Sequence, residues 1–199
     1  MAAHFVSRFP WCRLTATVSL VGADPGVVED VADYARELAR RWDLGDPLSE
    51  LSAVLAGAAA FTDETRLLVA VSRDAVDVPL HQLAPALAVD LVSAEADEND
   101  AYGWWVQIGP AARGAGASPE PGGWRFAVSD AADSWVSVRS GGIAGAATGA
   151  ATLAVASAPH AWIAMREAVA YASASAAHPL TSGVRAWLID TASPAAALQ

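Results

Sequence analysis

The sequence is poor in cysteine and in basic residues, and both shortages narrow what the protein can be. Cys12 is the only cysteine in 199 residues, which excludes an internal disulfide and any metal site built from several thiolates. A single cysteine also fits a reducing compartment, so we expect a cytoplasmic protein. The chain has 12 basic against 22 acidic residues and a formal net charge of −10. Because so negative a surface repels phosphate backbones, nucleic acid is not expected as a partner.

Targeting and catalytic signatures are also missing. The first 12 residues lack the uninterrupted apolar stretch of a signal peptide, since Arg8 and Pro10 interrupt them. Residues 140–165 carry no charged side chain and are long enough to span a bilayer, but small residues dominate them and Pro159 interrupts them. We therefore interpret this stretch as a buried strand followed by a buried helix, with no membrane as partner. There is no dinucleotide-binding glycine motif, P-loop, nucleophile elbow or HExxH zinc motif.

What is present indicates a packed globular protein. Hydrophobic residues make up 54% and charged residues 17% of the chain, a balance that supports a folded core rather than disorder. At this length one domain is the natural expectation. We place that domain at residues 1–191 and expect residues 192–199 to form a loose C-terminal tail.

Hydrophobic periodicity predicts both strands and helices. Residues 13–21 alternate between apolar and polar side chains, as a half-buried strand does. Asp24-Pro25 marks a helix start, and apolar residues recur at helical spacing up to Gly45. Further helices are predicted at 62–75, at 85–94 and after Pro159, and further strands at 104–108, 124–129, 135–139, 152–156 and 184–189, with a turn at 46–51 and a glycine- and proline-rich loop at 109–123. The partial segregation of strands and helices favours an α+β fold with a mixed or antiparallel sheet flanked by helices.

Six short segments, in a fixed order along the chain, carry the strongest functional signal. They are DPLSEL at 46–51, APALAVD at 84–90, IGPA at 108–111, GGWRFAV at 122–128, GGIA at 141–144, and TLAVA at 152–156 with the helix after it. Together they resemble the motifs of the bacterial FAD:protein FMN transferases, the ApbE family, over nearly the whole chain. The resemblance implies an ApbE-like fold, a Mg²⁺ ion, FAD, and transfer of the FMN portion to a Ser or Thr of a partner protein.

The chain departs from this family at the positions that the family uses for chemistry. Trp162 and Arg166 stand where the resemblance places the metal-binding Asp and Thr, Pro85 replaces a Lys, and Ala111 replaces an Asp. A histidine-bearing hairpin expected between residues 144 and 152 is missing. Trp and Pro cannot ligate a hard cation, so the sequence predicts a shortened, degenerate relative without metal or cofactor. FAD and Mg²⁺ belong only to the alternative in which rearranged ligands keep some transferase activity.

The resemblance also places particular residues around the former flavin cleft. His81 and His160 are the candidate catalytic residues, because a histidine in a cleft can act as an acid or base near neutral pH. The candidate ligand-binding residues are Gln82, Asp90, Trp104, Arg113, Trp124, Trp162 and Arg166. The tryptophans could wall a pocket for a flat molecule, and the arginines, with Arg125 and Arg139, could anchor an anion. Core packing, helix capping and surface ion pairs are the alternative roles for these residues.

Three functions follow from the sequence. In the first, the former cleft binds or transforms an apolar or aromatic small molecule, for example by cyclase-type chemistry in specialised metabolism, so that enzymatic activity stays open. In the second, the protein is a non-catalytic pseudoenzyme or scaffold that pairs with an active paralogue or forms a homodimer. In the third, it retains flavin binding or FMN transfer.

Overall fold

The structure is a computed structural model that describes residues 2–44, 59–63, 66–71, 74–99, 101–127, 135–147, 152–173 and 182–190. The predicted turn at 46–51 and the predicted tail at 192–199 lie outside these residues. The elements follow one another as β1 (His4–Trp11), β2 (Leu14–Val21), α1 (Pro25–Leu44), β3 (Ala59–Asp63), β4 (Arg66–Val71), β5 (Asp74–Pro79), α2 (Leu80–Glu98), β6 (Gly103–Ile108), β7 (Ala111–Gly116), β8 (Trp124–Ala127), β9 (Trp135–Val138), β10 (Gly141–Ala147), β11 (Thr152–Ala158), α3 (Ala161–Ser173) and β12 (Arg185–Asp190).

A seven-stranded sheet organises the described residues. Its strand order is β1-β2-β6-β7-β10-β11-β12, and every neighbouring pair is antiparallel. Three β-hairpins, β1–β2, β6–β7 and β10–β11, supply six of the seven strands. The α+β class with a largely antiparallel sheet flanked by helices is therefore confirmed.

The three helices of the described residues cover one face of this sheet, which we call the helix face. The apolar stripe of α1, with Val28, Val31 and Leu38, is buried there together with Val18 and Leu20 of β2. The period-two pattern of residues 13–21 and the helical pattern after Asp24 are both confirmed. Burial of these stripes removes apolar area from water, which is the main force that holds the helices on the sheet.

The opposite face carries the small two-stranded hairpin formed by β8 and β9, and we call it the hairpin face. Because neighbouring side chains on a strand point to opposite faces, Trp105 lies in this second core whereas Trp104 lies in the first. Phe126, Val136 and Ile143 pack with Trp105. The central strands are thus buried on both faces, whereas Val6 on β1 and Leu188 on β12 are exposed at the edges.

The prediction of a helix at 62–75 is wrong, because β3, β4 and β5 form an antiparallel three-stranded sheet there. The apolar run at residues 67–71 is too short for its periodicity to separate helix from strand. The next residues do show a strand signal, since Val76 and Val78 flank Asp77 in a period of two.

Two further boundaries differ from the predicted ones. Within the predicted loop at 109–123 lies β7, whose sequence AARGAG has little strand propensity but is paired on both sides, by β6 and β10. A Cβ at Gly114 would stand 2.7 Å from the Trp105 ring, so the glycine is needed for this packing.

Helix α2 begins at Leu80, five residues before the predicted start, and contains Pro85. Burial of Leu83 and Leu87 offsets the hydrogen bond that a proline cannot donate. Among the described residues, no helix has both the length and the apolar character needed to cross a membrane.

Candidate functional site

Asp90 joins two helices at the centre of the helix face. It lies on α2, and its carboxylate accepts hydrogen bonds from the first two backbone N–H groups of α3. The Ala161 N–H donates to Oδ1 at 3.0 Å and the Trp162 N–H to Oδ2 at 2.9 Å. The first N–H groups of a helix have no partner within the helix, so Asp90 acts as an N-cap supplied from another element. The negative charge also suits the positive end of the helix dipole.

An arginine and a histidine side chain complete the surroundings of this carboxylate. The Arg113 guanidinium on β7 lies 3.4 Å from Asp90 Oδ1, and the side chains are 24% and 13% exposed, respectively. The His160 Nδ1 lies 3.6 Å from the same oxygen, beyond hydrogen-bond distance, and the His160 side chain is 47% exposed. Asp90, Arg113, His160 and the N-terminus of α3 therefore form one polar cluster, which we call the Asp90 cluster.

The Asp90 cluster lies where α3 makes its closest approach to the sheet. Gly142 of β10 is buried directly against the start of α3, and a Cβ at this position would collide with the backbone of His160 and Ala161. Glycine is the residue that permits such contact between two backbones. The cap, the ion pair and the glycine together fix the N-terminus of α3 over the sheet.

Tryptophan and arginine side chains pair beside the cluster. The Arg113 guanidinium lies 5.7 Å from the centre of the Trp104 ring, and the Arg166 guanidinium lies 5.3 Å from the Trp162 ring one turn before it on α3. Arg166 also donates to the buried Glu167 carboxylate at 2.8 Å. The two distances from guanidinium to ring, 5.7 and 5.3 Å, are within the range of cation–π attraction. The indole N–H of Trp104 donates to Asp97 at 2.9 Å, so Trp104 is held rigidly.

Burial raises the pKa of Asp90 above its ordinary value of 3.8, because the carboxylate loses hydration. The backbone N–H groups of Trp162 and Ala161, and the charges of Arg113 and His160, act in the opposite direction and offset only part of the burial. The two N–H donors and Arg113 thus offset part of the cost of burying this carboxylate.

The structure thus brings together five of the predicted site residues, namely Asp90, Trp104, Arg113, His160 and Trp162, with Arg166 stacked on the last. Trp124 lies on the hairpin face, where its ring stacks on Trp105 at 6.1 Å with an interplanar angle of 13°. Gln82 lies on α2 and is half-buried. His81 belongs to α2 by its backbone, and its side chain lies outside the described part of the chain.

The described residues of the Asp90 cluster do not fit a Mg²⁺ ion. Both oxygens of Asp90 already accept backbone N–H groups, and a guanidinium stands beside one of them. Mg²⁺ requires oxygen ligands in near-octahedral geometry, whereas Trp162 offers no oxygen and Arg166 is a cation. In the ranges that the structure describes, no three or more His, Cys, Asp or Glu side chains converge as metal ligands would.

Sequence reasoning singled out Asp90 but missed what it binds. Its two hydrogen-bond partners lie 71 and 72 residues further along the chain, so no local pattern could reveal the cap. The sequence likewise marks Gly142 only as part of a motif. The signal that could have found it is the pair Gly141-Gly142, which precedes a predicted strand and helix. Paired glycines often mark a place where two backbones pack closely.

Comparison with known proteins agrees with this architecture. No family model and no curated protein matches the chain by sequence. Among solved structures, the flavinyl transferase ApbE of Pseudomonas stutzeri in its apo form is similar, with a TM-score of 0.57 and 15% sequence identity. The superposition covers 85% of this chain and 83% of that one. At this identity the likeness establishes an ApbE-like fold and leaves function to be argued from the site.

Proposed function

We propose that this ApbE-like protein does not transfer flavin with Mg²⁺, and that the former flavin cleft at the start of α3 binds or transforms an apolar or aromatic small molecule. In this proposal the chain is a shortened and degenerate relative of the ApbE transferases. It acts in the cytoplasm, where its single cysteine needs no disulfide partner. Cyclase-type chemistry is the kind of reaction that such a site could assist.

One observation carries the proposal, namely the commitment of Asp90 to the fold. A carboxylate that caps α3 through both oxygens and pairs with Arg113 is poorly suited to hold a cation. Trp162 and Arg166 lie on the first turns of α3, which Asp90 caps, and they stack on each other. The surface that the resemblance assigns to metal and phosphate therefore offers an aromatic ring and a guanidinium. Such a surface favours a flat organic molecule over a metal–phosphate group.

If the protein is an enzyme, His160 is the residue we assign to acid–base work. Its ring is half-exposed, and Nδ1 lies 3.6 Å from Asp90 Oδ1. The opposite nitrogen, Nε2, is then the one that can give a proton to a ligand or take one from it. His81 keeps its candidate role as a prediction.

Native mass spectrometry of the purified chain, alone and with a panel of aromatic and polyketide-like compounds, tests the proposal. We expect a bound or captured compound whose affinity falls about tenfold in Trp162→Leu, because the stacking surface is lost while apolar volume is largely kept. Tyr102→Leu, at an exposed aromatic residue just before β6, is the control and should leave the affinity unchanged. A protein that ignores the whole panel, or that binds equally well as Trp162→Leu, would contradict the proposal.

A further inference from the structure

Two clefts lie along the hairpin face, and one of them reaches Pro159, just before α3. Two adjoining cavities of about 550 and 500 Å³ share Ser140, Ser157 and Arg185. They run between β9, the start of β10, the end of β11 and the start of β12, and we call them the hairpin-face groove. Volumes of this size are those of small-molecule sites.

The charge of the groove is opposite to that of the protein. Among the described residues, its lining includes Arg139 and Arg185 and no acidic side chain, in a chain with 22 acidic residues and a net charge of −10. Within the described ranges, neither arginine has an ion pair or hydrogen bond, whereas Arg36, Arg40 and Arg125 are each paired with a carboxylate. Two unpaired guanidinium groups facing one cavity form a site for an anion.

The remaining lining offers serine hydroxyls for an anionic group and indole rings for an apolar ring system. Serine hydroxyls at positions 137, 140 and 157 can donate to an anionic oxygen. Trp135 and Trp187 contribute indole rings to the same wall, and Trp135 is exposed. Aromatic walls next to guanidinium groups favour a flat apolar body that carries an anionic group.

We propose that the hairpin-face groove is a binding site for a flat aromatic molecule that carries a carboxylate or a phosphate. Arg185 and Arg139 hold the anionic group, the serine hydroxyls add hydrogen bonds, and Trp135 and Trp187 cover the ring. The groove reaches Pro159, the residue before His160, but it shares no lining residue with the Asp90 cluster, so variants can test it separately from the function proposed for that cluster. Arg185 has the larger part in binding because it lines both cavities, whereas Arg139 lines one.

Isothermal titration calorimetry of the full chain tests this site with four probes: 2-naphthoate, 2-naphthyl phosphate, the neutral 2-naphthamide and inorganic phosphate. We expect at least one of the two aryl anions to bind saturably, the amide to bind at least tenfold more weakly than it, and inorganic phosphate to bind weakly because it lacks the ring. The stronger of the two anions identifies carboxylate or phosphate as the preferred group. Binding should weaken as sodium chloride is raised, since the arginines are exposed.

Variants locate the binding in the groove. Arg185→Ala should weaken the bound anion about tenfold, which is the loss of one charged hydrogen-bonding partner, and Arg139→Ala should weaken it about threefold. Arg13→Ala removes another exposed arginine, in the β1–β2 turn, that has no ion pair with a described residue, and it should have no effect; Trp162→Leu should have none either. The proposal fails if neither aryl anion binds at millimolar concentration, if the amide binds equally well, or if Arg13→Ala weakens binding as much as Arg185→Ala.

Discussion

On the helix face of the seven-stranded sheet, Arg113 lies 3.4 Å from the Asp90 carboxylate and is three-quarters buried. On the hairpin face, Arg139 and Arg185 are exposed, and they line a groove without a carboxylate partner among the described residues. The same residue type therefore has two roles. A charge that is paired inside the fold holds elements together, and its removal leaves a partner buried and unpaired. A charge that the fold leaves unpaired is available to a ligand, and its removal costs the fold little.

The close contact between Gly142 and α3 gives the strongest way to break the helix-face region without touching its charges. Gly142→Ala should lower the free energy of unfolding by about 3 kcal/mol or more, because the added carbon meets the backbone of His160 and Ala161 and the helix must move. Urea unfolding followed by circular dichroism measures this. In Gly145→Ala on the same strand, the new carbon meets only the flexible Leu153 side chain at 3.3 Å, so its loss should be about 1 kcal/mol or less. Equal losses would show that the contact does not position α3.

Removal of the Asp90 carboxylate should have the next largest effect. Asp90→Ala leaves two N–H groups of α3 without their acceptor and leaves Arg113 without its partner, so we expect a loss of about 2 kcal/mol. Asp90→Asn keeps one acceptor oxygen and should lose about half as much. Asp33→Ala, which removes an exposed partner of Arg36 on α1, should change stability by less than about 0.5 kcal/mol. A neutral Asp90→Ala would exclude Asp90 as the cap of α3.

The same substitution made in both regions tests the comparison itself. Arg113→Ala should cost about 1 kcal/mol, since it uncovers the Asp90 carboxylate and the Trp104 ring. Arg185→Ala should leave the midpoint of urea unfolding within about 0.5 kcal/mol of the parent while it weakens aryl-anion binding. If Arg185→Ala proved the more destabilising variant, Arg185 rather than Arg113 would be the arginine that holds the fold, and the comparison would be wrong.

The smallest expected effect is on the pH dependence of stability. The pKa of Asp90 is raised in the folded protein, so the folded state binds this proton more tightly than the unfolded state does. Its contribution to stability is therefore largest below the ordinary pKa of 3.8 and is lost as pH rises through the raised value. The difference in stability between the parent and Asp90→Asn should move against the parent as pH rises across this window, in paired urea melts. A difference that moves in the parent's favour would mean that the cations and N–H groups outweigh burial.

Part of this architecture could be predicted from the sequence because it rests on local patterns. Residues 14–21 and the apolar stripe of α1 have the periods of a strand and a helix, and the structure confirms both. The β7 strand could not be predicted, since AARGAG becomes a strand only through its pairing with β6 and β10. The three-stranded sheet at residues 59–79 was missed for a related reason, because its apolar runs fit either period.

The candidate site divides in the same way. The order of motifs predicted the ApbE-like fold and selected Asp90, Arg113, His160 and Trp162, which the structure gathers at one place. Their contacts depend on sheet order and on helix packing, with Asp90 and the start of α3 separated by 71 and 72 residues of chain, which no local pattern encodes. The hairpin-face groove is harder still, because Arg139 and Arg185 line one cavity only through the pairing of β10 with β11 and of β11 with β12.

The assignment of Asp90 to the fold rather than to a metal is the central claim, and a transfer assay tests it most directly. The parent and Trp162→Asp, which restores a carboxylate at the position that the resemblance gives to the metal ligand, are incubated with FAD, Mg²⁺ and a threonine-bearing acceptor protein. Intact-mass spectrometry of the acceptor then reports covalent FMN. We predict none with either protein, because residues that act together in catalysis are not restored singly, and Asp90 stays bound to α3. Mg²⁺-dependent FMN on the acceptor, from either protein, would contradict the account and make the chain a flavin transferase.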